Sequence, residues 1–146
     1  MFNKYFEDYK LEDTWNSKGR TITEADIVMF SALSGDWFPL HTNIEYAKET
    51  QYKERIAHGM LVLSVTTGLV QFEPGIVVAF YGMDKVRFTN PTFIGDTIQL
   101  SGKVIDLKSK GPNQGVVTVL QEVKKQTDET VAVFEMKLLV NKKTLD

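Results

Sequence analysis

Two titratable side chains, Asp36 and His41, stand five residues apart in the segment Gly35-Asp36-Trp37-Phe38-Pro39-Leu40-His41. Imidazole titrates near neutrality and a carboxylate is normally ionised, so such a pair converging on one water can take and return protons at pH 7. Pro39 biases Phe38 toward extended backbone, which predicts that residues 36 to 41 form a rigid loop rather than a helix turn. A turn-forming Asp after a helix and a packing or surface His are the plain alternatives, and spacing alone does not decide between them.

A second candidate lies in Ile56-Ala57-His58-Gly59-Met60, where a helix is predicted to open. The unpaired N–H groups of a helix start form an electropositive site, and Gly59 has no side chain to obstruct a carbonyl approaching one of them. A donor so placed against developing negative charge is worth about 3 kcal/mol of barrier. The competing reading is that Gly59 only permits close packing. Thr67, about two turns into the helix, is in position to donate its hydroxyl to Asp36, with Ser64 a weaker substitute; a helical Thr also commonly bonds a carbonyl one turn back. His58 is read as structural, satisfying backbone groups near the helix start. Lys85, Arg87, Lys108 and Lys110 are read as solvated surface charge.

The elements that must position these groups follow from periodicity. Thr23 is an N-cap answered by Asp26, opening a helix over 24–34 with Ile27, Phe30 and Leu33 near one face and Ser34-Gly35 as its stop. A short helix is predicted from Ile44 to about Thr50, capped by Asn43, with Tyr46 as its inward anchor. Residues 57 to 72 place Met60, Leu61, Val62, Leu63, Val65, Leu69, Val70 and Phe72 on nearly every face, as expected of a helix buried in the middle of the molecule. Pro74-Gly75 ends it. Strands follow at about 76–82, 84–89, 97–107, 116–126 and 131–140, with Ala132, Phe134, Met136, Leu138 and Val140 on one face of the last. A long apolar helix followed by an antiparallel meander implies a sheet wrapped around that helix, an α+β arrangement of the hot-dog type.

The 146 residues suit one domain with a substantial core, and 42% apolar with 25% charged residues is an ordinary globular balance. A formal net charge of -2 without a basic, aromatic-interleaved block points away from nucleic acid. Neither a membrane-length apolar run nor an apolar leader follows Met1, so a cytoplasmic location is expected. Cysteine is absent, which removes thiolate nucleophiles, disulfides and thiolate metal sites, and with only His41 and His58 as imidazoles no metal centre is expected.

Taken together, Gly35 to His41, Ile56-Ala57-His58-Gly59-Met60-Leu61 and Val86-Arg87-Phe88-Thr89-Asn90-Pro91-Thr92-Phe93-Ile94-Gly95-Asp96-Thr97 resemble the MaoC-like (R)-specific enoyl-CoA hydratase family in order and spacing, over most of the chain from about Arg20. The resemblance implies that Asp36 and His41 are the catalytic pair, that the Gly59 N–H holds a thioester carbonyl, and that Thr67 stands where the family often has a serine bonding the Asp. The family commonly has an asparagine where this chain has Phe38. It also implies a homo-oligomer, a dimer or multiple of dimers, whose substrate tunnel lies near the subunit interface.

The expected reaction is reversible hydration of a trans-2-enoyl thioester to a (3R)-hydroxyacyl thioester, with coenzyme A or acyl carrier protein as part of the substrate and no further cofactor. Two alternatives stand beside it: a hot-dog acyl-CoA thioesterase, and a non-catalytic acyl-thioester-binding subunit.

Overall fold

A computed structural model describes residues 1–143. After a 3₁₀ turn at Phe6–Asp8 come two short strands, β1 (Thr14–Asn16) and β2 (Arg20–Thr21), and then α1 (Glu24–Ser34). Next are α2 (Pro39–Thr42), α3 (Ile44–Glu49) and α4 (Gly59–Leu69). Four long strands complete the chain: β3 (Val77–Phe88), β4 (Thr97–Lys110), β5 (Gln114–Lys125) and β6 (Thr130–Asn141). The sheet order is β1-β4-β5-β6-β3, with β2 also on β4, and every named pairing is antiparallel.

The core lies between one face of this sheet and the helices. Phe134, Met136 and Leu138 of β6 are buried together with Leu100 and Val104 of β4, Val117, Val119 and Val123 of β5, Ile27 of α1 and Leu61, Val62 and Leu63 of α4. Each such side chain contributes about 1.5–3 kcal/mol relative to leaving it in water, so the period-2 pattern of β6 and the apolar run of α4 hold each other in place. The alternation predicted for residues 132 to 140 is the observed buried face.

The capping box predicted at Thr23 is formed: its hydroxyl accepts from the Asp26 N–H and the Asp26 carboxylate accepts from the Thr23 N–H. Arg20 adds a bidentate contact to Asp26, with Nη2 at 2.7 Å, and holds that carboxyl below the usual carboxylate range. Gly35 closes the helix in the left-handed region at φ 78° and donates to Ser31 O at 2.8 Å.

Several expectations are corrected. Residues 39 to 42 are a helical turn, not loop: proline fits the first position of a helix because its missing N–H has no partner there anyway, while Phe38 keeps the extended backbone expected before proline. Leu33 is 85% exposed, since α1 buries only Ile27 and Ser31 fully. In α3 the buried residue is Ala47, and Tyr46 faces outward against Phe38. The central helix is shorter than 57–72, and Met60, Ser64, Thr67 and Gly68 leave it one open face. The two strands expected at 76–82 and 84–89 are one, β3, interrupted by register shifts at Phe80/Gly82 and Asp84/Arg87, with Lys85 at φ 52°. Such bulges carry a strand past a local break in alternation, which reads in sequence as two strands.

Candidate active site

Asp36 is set by the end of α1. Its N–H donates to Ser34 Oγ at 3.2 Å, and its Oδ1 accepts the Phe38 N–H at 3.1 Å. This side-chain turn is the structural role expected of an Asp after a helix, and here it also aims the group. Oδ2 accepts no hydrogen bond among the described residues and remains open to a ligand.

His41 occupies the α2 turn. Its Nδ1 lies 2.8 Å from Ile56 O, and since a carbonyl only accepts, Nδ1 carries the proton and Nε2 keeps the lone pair. Ile56 is itself fixed: it bridges to Phe93, its N–H donates to Leu40 O at 3.4 Å, and Ala57 N–H donates to Thr92 O at 2.7 Å. Burial pushes the His41 imidazole below its usual value of 6.5; the Ile56 carbonyl opposes this, His58 reinforces it, and Asp36 opposes it more weakly. At pH 7 His41 is therefore a neutral base with Nε2 free.

His58 is brought to the same place. It is 2% exposed, its ring stacks on His41 at 3.9 Å between centroids with planes 30° apart, and Phe30 lies against it at 5.0 Å. His58 Nε2 is 3.1 Å from the Asp36 main-chain O and 3.3 Å from Ser31 Oγ. The sequence reading of His58 as a residue that serves backbone groups holds, but the group it serves is the carbonyl of Asp36.

Donor atoms of Asp36, His41 and His58 lie within 4.8 Å of one another, the one such trio among the described residues. The two rings face each other, so their in-plane lone pairs do not converge on one point, and each ring has one nitrogen already engaged with a carbonyl. The donor set fits a supported proton-transfer pair better than a metal centre.

Gly59 is the first residue of α4, and its N-cap, His58, makes no side-chain cap bond because its ring is turned to Asp36. The first-turn N–H groups are left without a side-chain acceptor at the positive end of the helix. A pocket of about 400 Å³ opens in front of them, with His41, Gly59, Met60, Val62, Phe88 and Asn90 among its walls. Asp36 is not part of that wall but sits beside His41, which is. The packing reading of Gly59 also has substance: a methyl there would lie 2.7 Å from the Phe88 ring. Close packing and an open N–H therefore coexist at Gly59.

Thr67 is not brought to Asp36. Its hydroxyl donates to Ser64 O at 2.7 Å, and it lines a separate surface depression with Arg20 and Gly68. The helix satisfies the hydroxyl locally, as a helical Thr often does. Ser64 likewise donates to Met60 O at 2.8 Å. Lys85 pairs with Glu135 at 2.7 Å, Arg87 donates to Val86 O, and Lys110 lies over the Tyr81 ring at 5.4 Å, all at the surface. What sequence reasoning missed is Ser31, the Ile56 carbonyl and Phe88. The adjacency of His58 to Gly59 was a usable signal, whereas a serine inside α1 carries none.

A family model described as "MaoC like domain" matches residues 9–127. Protein MaoC of Klebsiella aerogenes is 44% identical over 101 residues, a match covering 68% of this chain and 30% of that protein. An (R)-specific enoyl-CoA hydratase of Rhodospirillum rubrum is 42% identical over 106 residues, covering 70% of this chain and 71% of the relative. Among solved structures, one described as a monoamine oxidase regulatory protein from an Archaeoglobus species superposes with a TM-score of 0.92 at 40% identity, covering 97% and 96% of the two chains. A Mycobacterium tuberculosis protein described as a double hot-dog fold gives 0.86 at 20% identity, covering 96% of this chain and 44% of that one, and shares the fold. The α+β hot-dog architecture is therefore the fold, no helix among the described residues is long and apolar enough to cross a membrane, and the chain belongs to the MaoC-like hydratase/dehydratase family.

Proposed function

We propose that this protein hydrates a trans-2-enoyl thioester reversibly to a (3R)-3-hydroxyacyl thioester, with Asp36 and His41 as the acid/base pair and the Gly59 N–H as the site of the thioester oxygen. The observation that carries the reading is one geometry. His41, its proton fixed on Nδ1 by Ile56 O and its Nε2 bare, lines a pocket shared with the uncapped start of α4, beside a carboxylate with one oxygen free.

In this reading a water lies between Asp36 Oδ2 and His41 Nε2. Its oxygen bonds to C3 while His41 takes one of its protons, and the electron pair of the C2–C3 double bond moves toward the thioester oxygen. The enolate charge is held by the Gly59 N–H, a donor of the kind worth about 3 kcal/mol of barrier. A proton from the pair then passes to C2 on the same face, which restores both side chains. The reaction consumes water and needs no group beyond the thioester carrier, coenzyme A or an acyl carrier protein.

A second copy of the chain is part of the proposal. The sheet-edge strand β3 exposes Val78, Phe80, Tyr81 and Phe88, and the α1–α2 region exposes Met29, Leu33, Trp37 and Phe38. An edge with unpaired backbone and apolar side chains on both faces is a ready template for another strand. Pairing β3 with its copy would cover it and enclose the pocket.

The test follows loss of the enoyl-thioester absorbance across short, long, branched and dicarboxylic enoyl-CoA substrates, alongside assay of free thiol. Turnover of an enoyl thioester without thiol release is expected. Thiol release without hydration would make the protein a thioesterase, and acyl-CoA binding without either would make it a binding subunit.

A further inference from the structure

We propose that His58 and Ser31 are positioning residues for the Asp36/His41 pair, with His58 holding the backbone of Asp36 through one nitrogen and the ring of His41 through its face. The inference rests on the proposed hydration chemistry for its kinetic consequences but not for its structural ones.

The tautomer follows from the contacts. Asp36 O can only accept, so His58 Nε2 bears the proton, donates to it at 3.1 Å, and meets Ser31 Oγ at 3.3 Å as a second, longer partner. Nδ1 is then a bare lone pair, buried and without a protein partner. With Nε2 committed to Asp36 O and Nδ1 buried, His58 presents no nitrogen to a substrate and takes no part in proton transfer. Its ring also keeps that of His41 from rotating, by stacking at 3.9 Å between centroids.

Each contact acts on a different catalytic group. The bond to Asp36 O fixes the Asp36–Trp37 peptide, just past the left-handed Gly35, and with it the direction of the Asp36 carboxylate. Among the described residues His58 is the one donor to that carbonyl. Ser31, fully buried on α1, ties the ring to the helix that ends at Gly35. A residue beside the oxyanion donor therefore sets the geometry of both Asp36 and His41.

The test compares His58→Phe, which keeps a stacking ring but has no donor, with His58→Gln, which restores a donor near the Nε2 position, and Ser31→Ala. Steady-state hydration of crotonyl-CoA is measured with thermal melts and with carbonyl-carbon and imidazole-nitrogen NMR of Asp36 and His41. In His58→Phe, kcat falls about 10- to 100-fold with KM within about twofold, the signature of lost alignment rather than lost binding. The Asp36 carbonyl signal shifts upfield, and His58→Gln recovers much of both. Ser31→Ala shows a smaller loss of the same kind. Unchanged kcat and unchanged Asp36 and His41 signals in His58→Phe and Ser31→Ala overturn the proposal. So does a loss that follows melting temperature and KM together and is not recovered by Gln. If His58→Phe does not fold, Ser31→Ala and His58→Gln decide alone. A wild-type protein inactive on enoyl thioesters but showing the expected NMR changes refutes the hydratase reading and leaves the positioning role standing.

Discussion

A methyl group added at Gly59 would lie 2.7 Å from Cζ of Phe88 and 2.8 Å from its two neighbouring ring carbons. Comfortable carbon–carbon contact is about 3.5–4.0 Å, so the ring must move by roughly an ångström. Overpacking of this kind costs about 1–3 kcal/mol. At about 2–4 °C per kcal/mol for a chain of this size, Gly59→Ala should lower the melting temperature by about 2–12 °C. Phe88 is half exposed at the end of β3, so Phe88→Leu in the same chain should relieve the clash and return most of that loss. The effect on rate should not be relieved. The Gly59→Ala variant keeps the backbone N–H, but the added methyl thickens the pocket wall beside it and crowds an approaching thioester oxygen, and loss of one such donor corresponds to about a hundredfold in kcat. The assay pairs melts with enoyl-CoA hydration for Gly59→Ala, Phe88→Leu and the double variant. Recovery of stability without recovery of rate, judged against Phe88→Leu alone, is expected. Recovery of both would refute the oxyanion role and leave Gly59 as a packing residue.

Other measurements probe separate parts of the structure. Because burial holds the His41 imidazole below 6.5, the acid limb of kcat/KM should have its midpoint below that value; a midpoint at or above 6.5 contradicts the assignment. The same shift makes the unfolded chain bind more protons between the folded pKa and 6.5, so the His41 contribution to stability is complete above 6.5 and falls on acidification through that window, visible in denaturant titrations. Gln121 is fully buried, with Nε2 on the Met136 sulfur and Oε1 without a protein partner, so Gln121→Met should raise stability by about 1 kcal/mol, read as a higher urea midpoint at unchanged slope. If β3 pairs with its copy as proposed, Phe80→Asp on the exposed edge strand should sediment as a monomer where the unaltered chain sediments as an oligomer, and activity should fall with it.

How much of the fold and site is legible in the sequence depends on the range of the interaction. Local signals suffice for the Thr23/Asp26 box, the Gly35 stop, the Asn43 cap and the alternation of β6, each set by residues within a few positions. Pro39 signals what it forbids, an N–H and an α-region predecessor, more loudly than what it favours, the first position of a helix. The apolar pattern overstates the length of α4, because it continues beyond Leu69 while the backbone turns extended at Val70. Hydrophobicity assigns Tyr46 and Leu33 inward, yet both are exposed in the single chain, which no periodicity reveals. At the site, the spacing of Asp36 and His41 marks them as a candidate pair without deciding their role, and the contacts that hold them run 15 to 27 residues apart in sequence: Ile56 O on His41, and Asp36 O and Ser31 on His58. Thr67 shows the converse, a hydroxyl at a suggestive spacing that the helix itself satisfies.

The central claim is that Asp36 and His41 act together on one water in front of Gly59. It is tested most directly by the hydration rate of an enoyl-CoA in Asp36→Asn and His41→Gln, each shown to be folded by its melt, and in the double variant. Each single change should abolish measurable loss of the enoyl absorbance, and the double variant should be no worse than either, because residues that act as a unit are not additive. A wild-type rate in either folded single variant would contradict the account.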